Sequence, residues 1–294
     1  MSEKKKVKPK STGDKVFDTV NVVLLLVFTT LIVVPVYNVV ISSFASGTDL
    51  ASGFGIFPRR FTIGNYTNIL SESNLWQAFG VSVAKTVIGA VTHVLFCALM
   101  AYPMSKMYLK GRKFYVTLAM ITMYFGGGMI PSFLLIKSLG LLNSFWVYII
   151  PALLSYFDVI LLFNFFRNIP ASLEESAKID GASEFQIFRK ITLPLSRSAL
   201  LTIGLFTAVG QWNDFYTALL YINNASLWPL QYFVYKIIAQ QNLTNLHVAL
   251  SSTLISNQGS ILATVVVTAL PIIIAYPFLQ KYFVSGMTIG AVKE

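Results

Sequence analysis

The sequence predicts an all-α membrane protein with six transmembrane helices, and three observations carry that class. Hydrophobic residues make up 55% of the 294 and charged residues only 12%, about half the charged share of an ordinary soluble chain. The mean hydropathy is +0.67. The apolar residues gather into runs of about 20, the length a helix needs to cross the hydrocarbon layer. Within the runs polarity does not alternate, which excludes barrel strands, and in lipid only helices or closed barrels satisfy the backbone.

The runs lie near residues 19–43, 78–104, 114–136, 143–165, 198–221 and 259–281. Before the first stands a basic tail, residues 1–15, with Lys4, Lys5, Lys6, Lys8, Lys10 and Lys15. It has no aromatic residues interleaved as a nucleic-acid arm would, and it adjoins a span. It reads as an anchor on anionic lipid, with no nucleic acid as partner. The run after it is too long for a signal peptide and lacks a small-residue cleavage site. Residues 16–294 read as a single transmembrane domain.

Lys and Arg set the orientation. The tail, the loop with Lys106, Lys110, Arg112 and Lys113, the loop with Arg167, Lys178, Arg189, Lys190 and Arg197, and the C-terminal Lys281 and Lys293 hold 17 of these cations. The opposite loops hold four, Arg59, Arg60, Lys137 and Lys236. Both termini and the 168–197 loop are therefore expected in the cytoplasm. The net charge of +10 follows from this bias.

Polar residues within spans are costly in lipid and are candidates for function. In the second run Lys85 reads as snorkelling toward the interface, His93 as a packed histidine rather than a proton relay, and Cys97 as packing. In the third run Gly126–Gly128 read as helix loosening, with a gating hinge as the sharper alternative. Asp158 in the fourth run is expected to pair with a neighbouring helix. The fifth run holds the richest cluster, Gln211, Trp212, Asn213 and Asp214. With Tyr124, Tyr156 and Asp158 these are substrate-path candidates for a polar solute, because amides and carboxylates hydrogen-bond hydroxyls and aromatic rings cover apolar faces. Helix packing explains the same residues equally well.

The outer loops read as follows. Residues 44–76 are irregular around Gly53, Gly55 and Pro58 and start toward the second span at Asn65 and Tyr66. Residues 222–258 are polar. Either touches an external partner or merely connects.

The loop 168–197 is dense in charge and carries start and stop signals. Pro170 ends the fourth span's extension. Ser172 and Glu175 have capping-box spacing, as do Ser183 and Gln186. Leu173, Ala177 and Asp180 share a face of the first short helix. Gly181 suits the left-handed conformation that ends a helix. Phe185, Phe188 and Ile191 form a new apolar stripe, and Pro194 closes it. Near-cancelling charges and tethering at both ends make a DNA-binding helix pair a poor reading. A docking element for a cytoplasmic partner explains two caps, a central glycine and paired phenylalanines better than a linker does.

This loop resembles the EAA loop of importer-type ABC permeases. Glu175-Ser176-Ala177, Gly181 and Ile191-Thr192-Leu193-Pro194 fall on its pattern, and Ile179-Asp180-Gly181-Ala182 has the form seen in sugar permeases. Ser176 departs from the usual alanine but is small. MYFGGGMIPSFLLIKSLGLLNSFW (123–146) and YPFLQKYFVSGMTIGAVKE (276–294) resemble the MalG-like oligosaccharide permeases, LplC-like branch. The resemblance implies a type I ABC importer permease fold with cytoplasmic coupling helices between spans four and five. It implies a second, non-identical permease subunit, two cytoplasmic ATPase subunits and an extracytoplasmic solute-binding protein that delivers a sugar or oligosaccharide. The LplC-like branch implies oligosaccharides, uronic-acid-containing ones among them. It implies a bacterial cell membrane as location. ATPase coupling would fall on Ser172, Leu173, Glu174, Glu175, Ser176, Ala177, Asp180, Gly181, Phe185, Phe188 and Pro194, while the family places most sugar contacts on the partner permease. ATP and Mg would sit on the ATPase subunits, since this chain has no phosphate-binding loop. No metal ligands and no catalytic motif are read. The alternative is an ion-coupled secondary transporter, for which Lys85, His93, Asp158 and Asp214 are the available relays. A membrane enzyme built on Asp158 and Asp214 has no motif behind it.

Overall fold

A computed structural model describes residues 11–46, 57–58, 60–247, 258–275 and 277. The lysines of the tail before Lys15, Gly53, Gly55, Arg59, part of the 222–258 loop and the 276–294 ending except position 277 lie outside the described residues. The described elements are helical and fall into two compact units.

The first unit holds α1 (Thr12–Ser43), most of α2 (Gly64–Leu70) and the start of α12 (Gln258–Ala275). Asp14 accepts a hydrogen bond from the Ser11 backbone N–H at 3.0 Å as α1 begins. Its apolar side chains are exposed on all sides, Val23, Leu24 and Leu26 each by more than half, the mark of a helix made for lipid or for other helices. Asn65 organises the segment after α1: its Nδ2 donates to the carbonyls of Ser43 and Ala45 at 2.9 and 3.0 Å. A side chain at Gly259 would collide with that amide, because its Cβ would lie 2.5 Å from Asn65 Nδ2.

The second unit is built around α3 (Ser73–Ser105). Around it lie α4 (Arg112–Tyr124), α5 (Met129–Ser138), two 3₁₀ turns (Phe145–Tyr148 and Ile150–Ala152) and α6 (Tyr156–Arg167). There follow α7 (Ala171–Ile179), α8 (Glu184–Leu195), α9 (Arg197–Asn213), α10 (Tyr216–Tyr221) and α11 (Leu230–His247). Helix α3 packs most extensively on α9 and α6. Small residues let it approach closely, as membrane helices require. Cys97, Ala98 and Ala101 of α3 meet Val159 and Leu162 of α6 and Ala199 of α9 in one buried core.

Among the described residues, α1, α3 and α12 alone are long and apolar enough to cross a membrane singly; three bent pairs reach that length and composition together. The third apolar run is not one helix: α4 and α5 meet at 114°. Three consecutive glycines each weaken a helix by about 1 kcal/mol relative to alanine. Gly128 has φ +85°, open to glycine at no steric cost. The fourth run begins as 3₁₀ turns around Pro151 and bends by 47° into α6, whose start Ser155 caps by accepting from the Asp158 N–H at 3.4 Å. The fifth ends as a helix at Asn213, and Asp214 restarts the chain by accepting from the Thr217 N–H at 3.0 Å.

Candidate functional site

Two regions of the second unit collect the predicted functional residues. The first is the 168–197 loop. Helix α7 begins at Ala171, one residue before the start expected from Ser172, and Pro170 occupies the capping position. Proline removes one of the unpaired N–H groups at the helix start, and no side chain caps the others. Helix α7 ends in a double hydrogen bond across a left-handed glycine. Ala182 N–H donates to the Ala177 carbonyl at 2.9 Å, Gly181 N–H to that of Lys178 at 3.0 Å, and Gly181 has φ +81°. Ser183 then starts α8 with the expected capping box: it accepts from Gln186 N–H at 3.3 Å while its own N–H donates to Gln186 Oε1 at 2.8 Å.

Leu173, Glu175, Ser176 and Asp180 are exposed on α7, and Ala177 is half-buried. The phenylalanines divide. Phe188 is buried against the Tyr102 ring, centroids 5.0 Å apart, whereas Phe185 is 64% exposed. Pro194 does not close α8. The helix widens to a π turn at Phe188–Thr192, runs through Pro194 to Leu195, and α9 leaves at 78°.

Sequence reasoning missed three residues that grip this loop. Lys106 is buried at the end of α3, pairs with Glu174 of α7 and lies 4.3 Å from the Tyr102 ring centre. Tyr102 and Tyr108 donate to the two carboxylate oxygens of Glu184 at 2.9 and 2.8 Å, and Lys178 reaches the same carboxylate at 2.8 Å. Partial burial of Glu184 pushes its carboxyl up. Hydrogen bonds from Lys178, Tyr108 and Tyr102 outweigh this and hold it below the usual value. Its hydrogen bond to Glu184 holds Lys178 above its own. No local pattern announces the Lys106–Glu174, Tyr102–Glu184 and Tyr108–Glu184 contacts, whose partners are 68 or more residues apart.

The second region is a cavity of about 410 Å³, bordered by His93 of α3, Tyr148 and Ala152 of the 3₁₀ turns, Ser155, and Thr207, Gln211 and Asp214 of α9 and its end. Gln211 Nε2 donates to the Tyr148 carbonyl at 3.1 Å, while its buried Oε1 accepts nothing among the described residues. Gln211 lies flat against Gly89 of α3, where a Cβ would come within 3.1 Å of its amide.

Lys85 does not snorkel. It is fully buried, donates to the Asp214 backbone carbonyl at 2.7 Å and pairs with Asp214 Oδ2 at 3.2 Å. The broken end of α9 leaves a carbonyl unpaired, and the ammonium satisfies it and the carboxylate together. His93 is held at both nitrogens, Nδ1 2.6 Å from the Ala152 carbonyl and Nε2 3.0 Å from Asp158 Oδ2. A carbonyl only accepts, so Nδ1 carries a proton. The Nε2–Asp158 contact then needs one more, shared by the pair. Asp158 thus pairs with a neighbouring helix.

Of the substrate-path candidates, Gln211 and Asp214 border the cavity and Asp158 stands behind His93. Trp212 turns away, buried, with Nε1 donating to the Thr268 carbonyl at 3.3 Å. Asn213 donates back to its own helix at Val209. Tyr156 packs on the α3–α6 core, and Tyr124 is 74% exposed where α4 ends.

Residues 3–289 match the family model described as binding-protein-dependent transport system inner membrane component. Protein LplC of Bacillus subtilis is 42% identical over 281 residues, covering 95% of each chain. The polygalacturonan/rhamnogalacturonan transport system permease protein YtcP of the same organism is 41% identical over 286 residues, covering 95% of this chain and 99% of its own. Among solved structures, a chain of a bacterial ABC transporter involved in the import of the acidic polysaccharide alginate superposes with a TM-score of 0.85 at 32% identity. It covers 94% of this chain and 100% of its own.

Proposed function

The chain belongs to the family of binding-protein-dependent transport system inner membrane components, and from that premise we propose that it is one permease subunit of an ATP-driven importer of oligosaccharides. It is a transport component in the membrane, and hydrolysis of ATP belongs to separate subunits. The basic bias of its loops supports a cytoplasmic face for both termini and for the 168–197 loop. Residues 16–294 work as one transmembrane domain in the bacterial cell membrane, with the tail on lipid. An extracytoplasmic binding protein delivers the sugar to the permease, and ATPase closure on the cytoplasmic side reorients the spans.

The observation that carries the coupling role is the rigid joint at Gly181. Its double hydrogen bond and the capping box beyond it fix the angle between α7 and α8, while Leu173, Glu175 and Asp180 stay exposed for a partner cleft. The coupling residues are Ser172, Leu173, Glu174, Glu175, Ser176, Ala177, Asp180, Gly181, Phe185, Phe188 and Pro194.

The cavity is the part of the substrate path this chain supplies. Gln211 Oε1 lacks a donor, and Asp214 offers a carboxylate. Both take hydrogen bonds from hydroxyls, which a glycosyl unit presents on every edge. Relatives named for polygalacturonan, rhamnogalacturonan and alginate support a uronate-bearing oligosaccharide as substrate.

A single coupling loop serves one ATPase, so two ATPases require a second permease. Affinity purification of this chain from membranes is expected to bring down one different multi-span permease and an ATPase. A functional homodimer of this chain with its own ATPases contradicts the reading.

A further inference from the structure

We propose that Lys106 is a positioning residue that locks the ATPase-facing helix α7 to the end of α3, so that the ATPase stroke enters the central helix of the bundle directly. The inference rests on the docking role proposed for α7 and adds the receiving element.

Lys106 stands where α3 ends, its backbone N–H bonded to the Pro103 carbonyl at 3.1 Å. Its side chain is 8% exposed, reaches Glu174 of α7, and lies over the Tyr102 ring at 4.3 Å. A cation at a helix C-terminus also meets the negative end of the helix dipole. A surface ion pair exchanges readily with water and transmits little. A pair held out of water is different: separating it leaves a charge with neither partner nor solvent. When α7 moves, Lys106 has no cheaper place than beside Glu174.

A second grip lies on the far side of Gly181. Glu184 of α8 holds Tyr102 of α3 through one oxygen and Tyr108 through the other, and Lys178 of α7 closes the circuit at Glu184. Both short helices therefore hold the same end of α3. The covalent routes out of the loop are less direct. One passes through the turn at Asn168–Pro170 and the other through a 78° bend at Ser196. Helix α3 also carries Lys85, Gly89 and His93, the groups that arrange the cavity. From Ser105 back to Lys85 is about 30 Å of continuous helix at 1.5 Å per residue. A displacement received at Lys106 arrives at the cavity as motion of one rod.

The test uses the full transporter, co-expressed with its partner permease, ATPases and binding protein and reconstituted in proteoliposomes. Lys106→Met removes the charge and keeps the stem. Lys106→Arg keeps a cation able to pair with Glu174 and stack on Tyr102. The readout is sugar imported per ATP hydrolysed, with ATPase copurification measured in parallel. Lys106→Met is expected to keep ATPase association and hydrolysis while import per ATP falls about fivefold, within the range seen for coupling-network mutations. Lys106→Arg is expected to restore it to near wild type. Should Lys106→Met fail to reach the membrane, Lys106→Met combined with Glu174→Gln breaks the same pair without stranding a charge and is expected to lower the same ratio. Wild-type import per ATP in Lys106→Met, or in the Lys106→Met, Glu174→Gln double variant where that replaces it, overturns the proposal. So does a Lys106→Arg variant as uncoupled as Lys106→Met. If no ATPase binds even the wild type, the docking role of α7 fails instead, and the two failures are told apart.

Discussion

The loop at 168–197 and the cavity under α3 and α9 both depend on carboxylates, and they use them in opposite ways. In the loop, Glu184 and Lys178 are about half exposed and Glu175 and Asp180 face outward; only the Lys106–Glu174 grip is withdrawn from water. Its shape comes from backbone devices: a proline start, a left-handed glycine, a capping box. In the cavity, Lys85 is fully buried and His93 nearly so, each bound to a carboxylate from another element. Its shape comes from side chains that tie broken helices together. The loop leaves an exposed face, the one proposed here to meet a partner, whereas the cavity holds its own charges so tightly that few polar atoms are left over for a ligand. Perturbing the cavity should therefore cost stability, and perturbing the loop should cost coupling.

The largest effect is expected at the cavity. Asp214→Ala strands Lys85 out of water, and removing one partner of a buried pair costs about 3–5 kcal/mol. The thermal-inactivation temperature of the detergent-solubilised complex should drop sharply. The double variant Lys85→Met with Asp214→Ala should recover part of the loss. A single variant as stable as wild type would erase the distinction drawn here.

Next is Gly181→Val. A β-branched residue at φ +81° is strained by about 1–2 kcal/mol. A Cβ there meets nothing within 4 Å, so the cost is conformational rather than steric crowding. Insertion and thermal stability should remain near wild type while ATPase pull-down and uptake are lost. Retained ATPase binding together with retained uptake would remove the loop from the coupling path.

A smaller effect is expected for Gln211→Leu, which takes away the buried, unpaired Oε1 proposed as an acceptor for the sugar. A single such bond is worth about 1 kcal/mol. Transport should need a several-fold higher concentration of loaded binding protein, with assembly intact. Trp212→Ala should instead lower stability, since its ring is buried and its Nε1 is bonded within the protein. If only Trp212→Ala changes substrate dependence, the cavity has been drawn on the wrong side of α9.

The smallest effect concerns pH at Glu184. Its carboxyl is held below the ordinary 4.5, so the hub's contribution is full above that value and is lost as pH falls through the lower folded one. Lys178 is held above the ordinary 10.5, so its share is full below that value and fades as pH rises past it. Spin labels at Lys110 and at Ile179, which is 86% exposed, should report one narrow distance between these limits and a broadened one in stronger acid. Broadening already near neutral pH would show that Glu184 does not hold the loop.

Much of the loop was legible in the sequence because its determinants are local. Gly181, Ser183 and Gln186 act within a few residues of themselves, so spacing alone places them. Even there Ser172 was displaced by Pro170, which starts a helix without a side-chain cap. The cavity was legible only as a collection of polar residues inside apolar runs. Lys85 looked like a snorkelling lysine because nothing near it in sequence is acidic. Its partner is 129 residues away, on a helix end that exists because α9 breaks at Asp214. The third, fourth and fifth runs read as straight spans because hydropathy measures length and not direction. The interruptions come from Gly126–Gly128, from Pro151 and Ser155, and from Asp214. Trp212 and Gln211 are neighbours in sequence on one polar stretch, yet a 100° step around the helix sends one to Thr268 and the other to the cavity.

The most direct test of the account is uptake of labelled oligosaccharide by proteoliposomes holding this chain with its partner permease, ATPases and binding protein, with ionophores collapsing the proton and sodium gradients. An importer driven through the 168–197 loop should keep full uptake with ATP inside and no gradient, and lose it when ATP is withheld or when Gly181→Val replaces the wild-type chain. Uptake that follows the ion gradient and ignores ATP would contradict the account and return His93 and Asp158 to the role of a proton relay.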